Sequence, residues 1–312
     1  MTAGGKHYSR RFNDGTGEGC SVQNTLMVLT AVDEGPDHTN ASDVSLRGRI
    51  LAARPGDTIR FAPALASQTI KLKSELTIAK TLAIRAPETE AAITIDAGRA
   101  GRAFSIAPGV SVTLAGLEIT KGSGAGTSLG GFGGAILNQG RLVLSRCSIF
   151  GNSGERGGAI CNFSDAPDEQ ALLKVRKCSL QSNSAMFGGA IFSDQGKVIL
   201  VESSLNQNTA SIDGGGIYVR FARGRGRIHP SLILARSSLS QNTAPTGGGI
   251  SSEPGTVVRL IDSTLAGNTA TGGFGGAIFS GFVCRLSGCL LRDNKPDHIH
   301  GEYSDLGGNT ID

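Results

Sequence analysis

A four-residue motif keeps returning along this chain. GG[AG]I occurs at 133–136, 157–160, 188–191, 214–217, 247–250 and 275–278, at intervals of 24, 31, 26, 33 and 28 residues. Eight to ten residues before the isoleucine of each later copy stands an asparagine: Asn152, Asn183, Asn208, Asn242 and Asn268, with Asn294 closing the series. Periods of this length belong to solenoids, in which each repeat buries its apolar side only by stacking on its neighbours.

Counting back from each asparagine gives the shape of one repeat. Three positions earlier lie Ile149, Leu180, Leu205, Leu239, Leu265 and Leu291. Five earlier lie Cys147, Cys178, Ser203, Ser237, Ser263 and Cys289. Eight earlier lie Leu144, Val175, Leu200, Leu234, Leu260 and Leu286, and ten earlier Leu142, Leu173, Val198, Leu232, Val258 and Cys284. Apolar residues two apart mark a half-buried strand. The small residue and the following Leu or Ile continue inward after a bend, and GGxI supplies a third strand. Three short strands per repeat exclude a helical solenoid and predict an all-β, single-stranded parallel β-helix of three-sided coils. Equivalent residues then pile into columns about 4.8 Å apart. The asparagines are expected to form a corner ladder that satisfies turn backbone.

Weaker coils extend upstream. Residues 103–122 overlay on the repeat with Gly122 in the asparagine slot, 68–87 read as another coil, and 91–98 begin the next. Residues 40–55 place Val44, Leu46, Ile50 and Leu51 at helical spacing, a cap for the open end, with 26–32 as a strand of that cap. The expected organisation is an N-terminal arm and cap over 1–60, coils over 61–295, and a tail over 296–312 that folds over the last coil.

Composition agrees. Glycine is 46 of 312 residues and tryptophan is absent, as a narrow core with many tight corners requires. The net charge of +4 comes without a basic tail, so nucleic acid is not an expected partner. No apolar run is long enough to span a membrane as a helix, and no signal peptide is visible at the N-terminus. None of the six cysteines forms a CxxC pair. Neither a metal nor a cofactor is expected. The stacked cysteines point inward and read as a small buried column, without a disulfide.

The GGA[IL] motif with its [FIL]xxN element resembles the polymorphic outer membrane protein repeats of chlamydia-like surface proteins. The matching pieces are GGAI 133–136 with IFGN 149–152, GGAI 157–160 with SLQSN 179–183, and so on through GGAI 275–278. SLRGRILAARPGDTIRF (45–61) is similar to the leader that precedes such helices, and DLGGNTID to their closing element. The resemblance spans about residues 40–312. It implies a right-handed, pectin-lyase-like β-helix, an adhesin-like role and an extracellular or cell-surface location.

Parallel β-helices also include polysaccharide lyases and hydrolases, which need clustered carboxylates or a basic residue in an external cleft. One outward column runs Arg146, Lys177, Glu202, Arg236, Asp262 and Gly288, alternating in sign over its centre. It reads as a surface ladder of ion pairs rather than a catalytic cluster. Two coils carry insertions at the same corner: acidic 161–171 and basic, aromatic 218–230. The two loops either pair with each other or frame an anion or acidic-sugar site. Its candidate residues are Tyr218, Arg220, Phe221, Arg223, Arg225, Arg227 and His229, with Asp194 and Asp213 nearby. No catalytic residue is assigned. His298 and His300 read as polar tail residues. The outer face is unusually apolar at Val143, Ile199, Val201, Ile233 and Ile261, which calls for a covering tail, a partner or a homo-oligomer contact.

The expected function is therefore non-catalytic binding of a glycan or a cell-surface protein through the two loops. The alternatives are a lyase or hydrolase acting on an anionic polysaccharide, and a structural assembly element.

Overall fold

The computed structural model describes residues 24–35, 43–87, 92–125, 129–165, 170–221 and 231–312. They form a right-handed parallel β-helix. Three long sheets run its length: face A of eleven strands from Thr25–Val28 to Tyr303–Asp305, face B of ten from Thr69–Lys71 to Thr310–Ile311, and face C of nine from Leu76–Ile78 to Ile299–His300. The chain winds C to A to B and back to C, so every strand pairs with its equivalent in the next coil.

The columns stand in the expected register. On face A, Leu144, Val175, Leu200, Leu234, Leu260 and Leu286 are paired in succession. On face B, Ile149, Leu180, Leu205, Leu239, Leu265 and Leu291 are likewise paired. On face C the isoleucines of the repeated motif stack from Ile136 to Ile278. These side chains are essentially fully buried and form one continuous core. Each buried aliphatic contributes about 1.5–3 kcal/mol.

Left-handed residues turn the chain at the corners. Between faces A and B the turn falls on Arg146, Lys177, Glu202, Arg236 and Asp262, with φ between 47° and 52°. The next residue sends its side chain inward to accept an amide of the preceding coil: Cys178 Sγ from Cys147 N (3.3 Å), Ser203 Oγ from Cys178 N (3.2 Å), Ser237 Oγ from Ser203 N (3.2 Å). This explains why only small residues with a heteroatom occupy that column. After face B the asparagines form the expected ladder. Asn208 Oδ1 accepts from Asn183 N and Nδ2, both at 3.0 Å, while Asn208 Nδ2 donates to Leu180 O (3.0 Å) and Asn242 Oδ1 (2.9 Å). Gly122, in the asparagine slot of its coil, donates its amide to Asn152 Oδ1 at 2.7 Å.

The coils are not uniformly three-sided. A fourth sheet, face D, is built from Ser184–Phe187, Thr209–Asp213, Thr243–Thr246 and Thr269–Phe274, between the asparagine corner and the glycine pair. Each of its strands follows an Asn, and Ala210, Ala244 and Ala270 fill its inner side. The C-terminal residues also differ from expectation. Instead of folding over the end, Ile299–His300, Tyr303–Asp305 and Thr310–Ile311 wind one more coil in register.

At the other end the helix Leu46–Ala52 sends Leu46 and Ile50 into the core, with Ser45 Oγ capping Gly48 N at 3.1 Å. Leu51 points to solvent, and the strand expected over 26–32 is confined to Thr25–Val28. Arg47 fixes the helix to the first coils: it binds both oxygens of Asp33 at 2.7 and 2.8 Å and donates to Ser74 O and Glu75 O. Burial pushes the Asp33 carboxyl up, but Arg47 and the amides of Lys73 and Gly35 overcome this and hold it below its ordinary value. An unfolded aspartate titrates near about 3.9. The tie is therefore complete above about pH 4 and is lost as pH falls through the lower folded value. Acid titration of Asp33→Asn against the native chain is expected to show a shallower loss of melting temperature below pH 4. Identical slopes would refute the linkage. Among the described residues no helix is long and apolar enough to cross a membrane.

Candidate functional site

The residue after each motif isoleucine faces outward from face C. In coil order this column reads Leu137, Cys161, Phe192, Tyr218, Ser251, Phe279 and His300. Its first four members are nevertheless buried, because Phe132, Phe163 and Phe187 pack over them into a second apolar cluster outside the core. Tyr218 lies 5.7 Å from Phe192 in a stacked pair and 5.4 Å from Phe187. The Arg156 guanidinium sits over the rings of Phe132 (4.6 Å) and Phe192 (5.7 Å). That geometry suits a cation on an aromatic face.

Charged groups ring this aromatic shelf. Tyr218 Oη donates to Glu253 Oε1 at 2.6 Å, and the Phe221 amide donates to Glu253 Oε2 at 3.3 Å. Strand pairing sets Arg220 beside Asp194, with Nη1 3.7 Å from Oδ2. Asp213 stands at the bulged end of its face D strand, between Phe187 and Thr246 in register. Burial pushes its carboxyl above the usual range; a hydrogen bond with Thr246 opposes this and the charge of Glu253 adds to it. Burial, and then the bond to Glu253, raise the Tyr218 hydroxyl in the same way. A cavity of about 190 Å³ opens between Arg156, Phe187, Phe192, Tyr218, Arg220 and Glu253. It is smaller than the roughly 300–1,000 Å³ of drug-sized sites and suits a single ring.

Of the candidates drawn from sequence, Tyr218, Arg220, Phe221, Asp194 and Asp213 lie together at this end of face C. Arg223, Arg225, Arg227 and His229 fall outside the described residues, as do 166–169 of the acidic loop, so the pairing of the two loops does too. Sequence reasoning missed Arg156, Phe187, Phe192 and Glu253. An aromatic directly after the motif isoleucine, as in GGAIF and GGGIY, was the available signal for Phe192.

The charged ladder behaves as a surface feature. Glu202 lies 3.1 Å from Arg236 and 3.6 Å from Lys177. Its carboxyl is held below the ordinary value, first by the bond to Arg236. An exposed carboxylate kept ionised in this way cannot serve as a general acid near neutral pH. Two buried thiols are held protonated, Cys161 by burial and Cys284 pushed up to about 12 for the same reason. Neither is an accessible nucleophile.

No family model matches the chain, so the polymorphic outer membrane protein likeness rests on the repeated motifs alone. No curated protein matches it. Among solved structures the chain is similar to the crystal structure of pectate lyase Pel9A, at 12% identity and a TM-score of 0.47, over 93% of this chain and 80% of that one.

Proposed function

We propose that this protein is a non-catalytic, adhesin-like β-helix that binds one ring of a glycan, an acidic one by preference, on face C. The reading rests on one arrangement: the rim of Tyr218, backed by the buried Phe192, the partly exposed Phe187 ring and the Arg220 guanidinium line a ring-sized cavity held by a rigid sheet. Aromatic faces suit the C–H side of a sugar, and guanidinium suits its carboxylate. The loops 161–171 and 218–230 leave from the corner beside this cavity and would extend the contact to a longer saccharide or a protein bearing one. Both oxygens of Glu253 accept hydrogen bonds, which ties that carboxylate to the Tyr218 hydroxyl and the Phe221 amide.

Titration calorimetry with oligogalacturonate tests the proposal. Tyr218→Phe keeps the ring and is expected to bind within a few-fold of the native chain. Tyr218→Ala removes it and is expected to weaken binding at least about tenfold, the equivalent of 1.4 kcal/mol. Absence of binding to acidic and neutral oligosaccharides alike, or equal affinity for native chain and Tyr218→Ala, would defeat it. One observation favours an enzyme instead: the raised carboxyl of Asp213 stands close enough to Glu253 to feel its charge. The same samples, followed for unsaturated product or new reducing ends, decide between the two. Turnover that disappears in Asp213→Asn would replace the binding reading with a catalytic one.

A further inference from the structure

The outward side of face A is a different kind of surface. Its centre is apolar, with Ile199 and Val201 on one strand and Ile233 and Ala235 on the next, all partly exposed. No described residue of the chain covers them. Along one edge runs the ladder Lys177, Glu202, Arg236, Asp262, whose last member has no ion-pair partner among the described residues. The apolar centre and the charge pattern share one symmetry point, between the strands Lys197–Val201 and Ser231–Ala235. Read in the opposite direction about that point, the ladder is its own complement. Glu202 meets Arg236, and Lys177 meets Asp262.

We propose that face A is the interface of an antiparallel homodimer with its two-fold axis along the strands at that point. Ile199 then lies opposite Ile233 of the second copy, and Val201 opposite Ala235. Glu202 gains a second arginine, and Asp262 gains the lysine it lacks within its own chain. An isologous contact demands this self-complementarity. A parallel pairing of the helices would place the two ladders on opposite edges and leave both unused. Lys174 comes opposite Arg259, the one like-charge match, and Arg176 and Arg285 come opposite Ile261 and Val143; these cationic side chains are exposed and long enough to turn towards solvent.

The size of the face sets the strength. Six strands, three on each side of the axis and about 4.8 Å apart, each of about five residues at about 3.3 Å, give a surface of about 29 by 17 Å. Two such faces bury about 1,000 Å², below the usual range of about 1,200–2,000 Å² for stable complexes. The dimer is therefore concentration-dependent.

Sedimentation equilibrium over a wide concentration range tests it, with circular dichroism confirming that each variant is folded. The native chain is expected to show a reversible monomer–dimer equilibrium. Glu202→Arg sets arginine against arginine twice and is expected to weaken the dimer at least about tenfold. Adding Arg236→Glu to it restores the pairing across the axis and is expected to recover most of the loss. Lys174→Glu removes the one like-charge match and is expected to tighten association. Ile233→Glu, at the apolar centre, is expected to leave a folded monomer. A native chain that stays monomeric throughout, or a double charge swap no tighter than Glu202→Arg alone, overturns the proposal.

Discussion

Replacing Asn208 by alanine is expected to cost about 3–5 kcal/mol and to split one unfolding transition into two. The side chain is fully buried at a middle coil. Its loss removes the acceptor of the Asn183 amide and side chain, and the donor to Leu180 O. Each buried polar group left without a partner costs about 1–3 kcal/mol. A solenoid is stabilised coil by coil through nearest-neighbour contacts, so a weak junction uncouples the two halves. Urea denaturation followed by far-ultraviolet circular dichroism should show the midpoint shift and the second step. Asn208→Asp carries a sharper signature. Its carboxylate still accepts from Asn183 but faces Leu180 O and Asn242 Oδ1 with nothing to donate. The folded pKa of that aspartate is raised, so the variant is most stable in acid, when it is protonated, and loses stability as pH rises above about 4. A single transition at the native midpoint in Asn208→Ala would show the ladder to be ornamental.

The second large effect concerns a methyl group. In each GG pair the first glycine is left-handed, with φ of +67° at Gly214, and the second lies hard against the backbone of the neighbouring coil. A β-carbon on Gly215 would run into the Gly248 carbonyl of the next coil and lie 2.6 Å from the Thr243 amide nitrogen. Those are backbone atoms pinned by their own ladders and cannot step aside. Gly215→Ala is expected to lose more than about 4 kcal/mol or fail to fold, the range reserved for severe overpacking and backbone strain. Gly109→Ala is the control: it too has positive φ, +74°, but meets nothing within 4 Å. Its cost should be about 1 kcal/mol, the conformational term alone. Soluble yield and thermal melts compare the two. Equal behaviour would mean that close approach between coils is not what the second glycine serves.

The repeating part of the structure could be read from the chain because every coil faces the same constraints. Leu144, Leu200 and Leu260 recur at one offset because a coil has only one inward position there, and Asn183 to Asn294 recur because each caps the coil before it. Face D escaped notice because three of its strands bury a single alanine each and Ser184–Phe187 buries none, too little apolar pattern to register as a strand. The repeated Asn-Thr-Ala at 208–210, 242–244 and 268–270 was its trace. The site was half legible. Tyr218 and Arg220 stood out beside an insertion, whereas Arg156 and Glu253 lie on other coils, and only the winding brings them to the same cavity. The same holds for Asp33 and Arg47, whose pairing depends on how the helix seats against the first coils.

Because one coil is built like the next, the molecule is measured in whole steps. Excising residues between equivalent points of two neighbouring repeats would shorten it by one strand spacing, about 4.8 Å. Each column would rejoin with a like partner, leucine on leucine and asparagine on asparagine. Reach is in this sense a quantity the gene can lengthen or trim by copying or losing a segment, without renegotiating the interior. The outward loops are free to diverge on a frame that does not notice them.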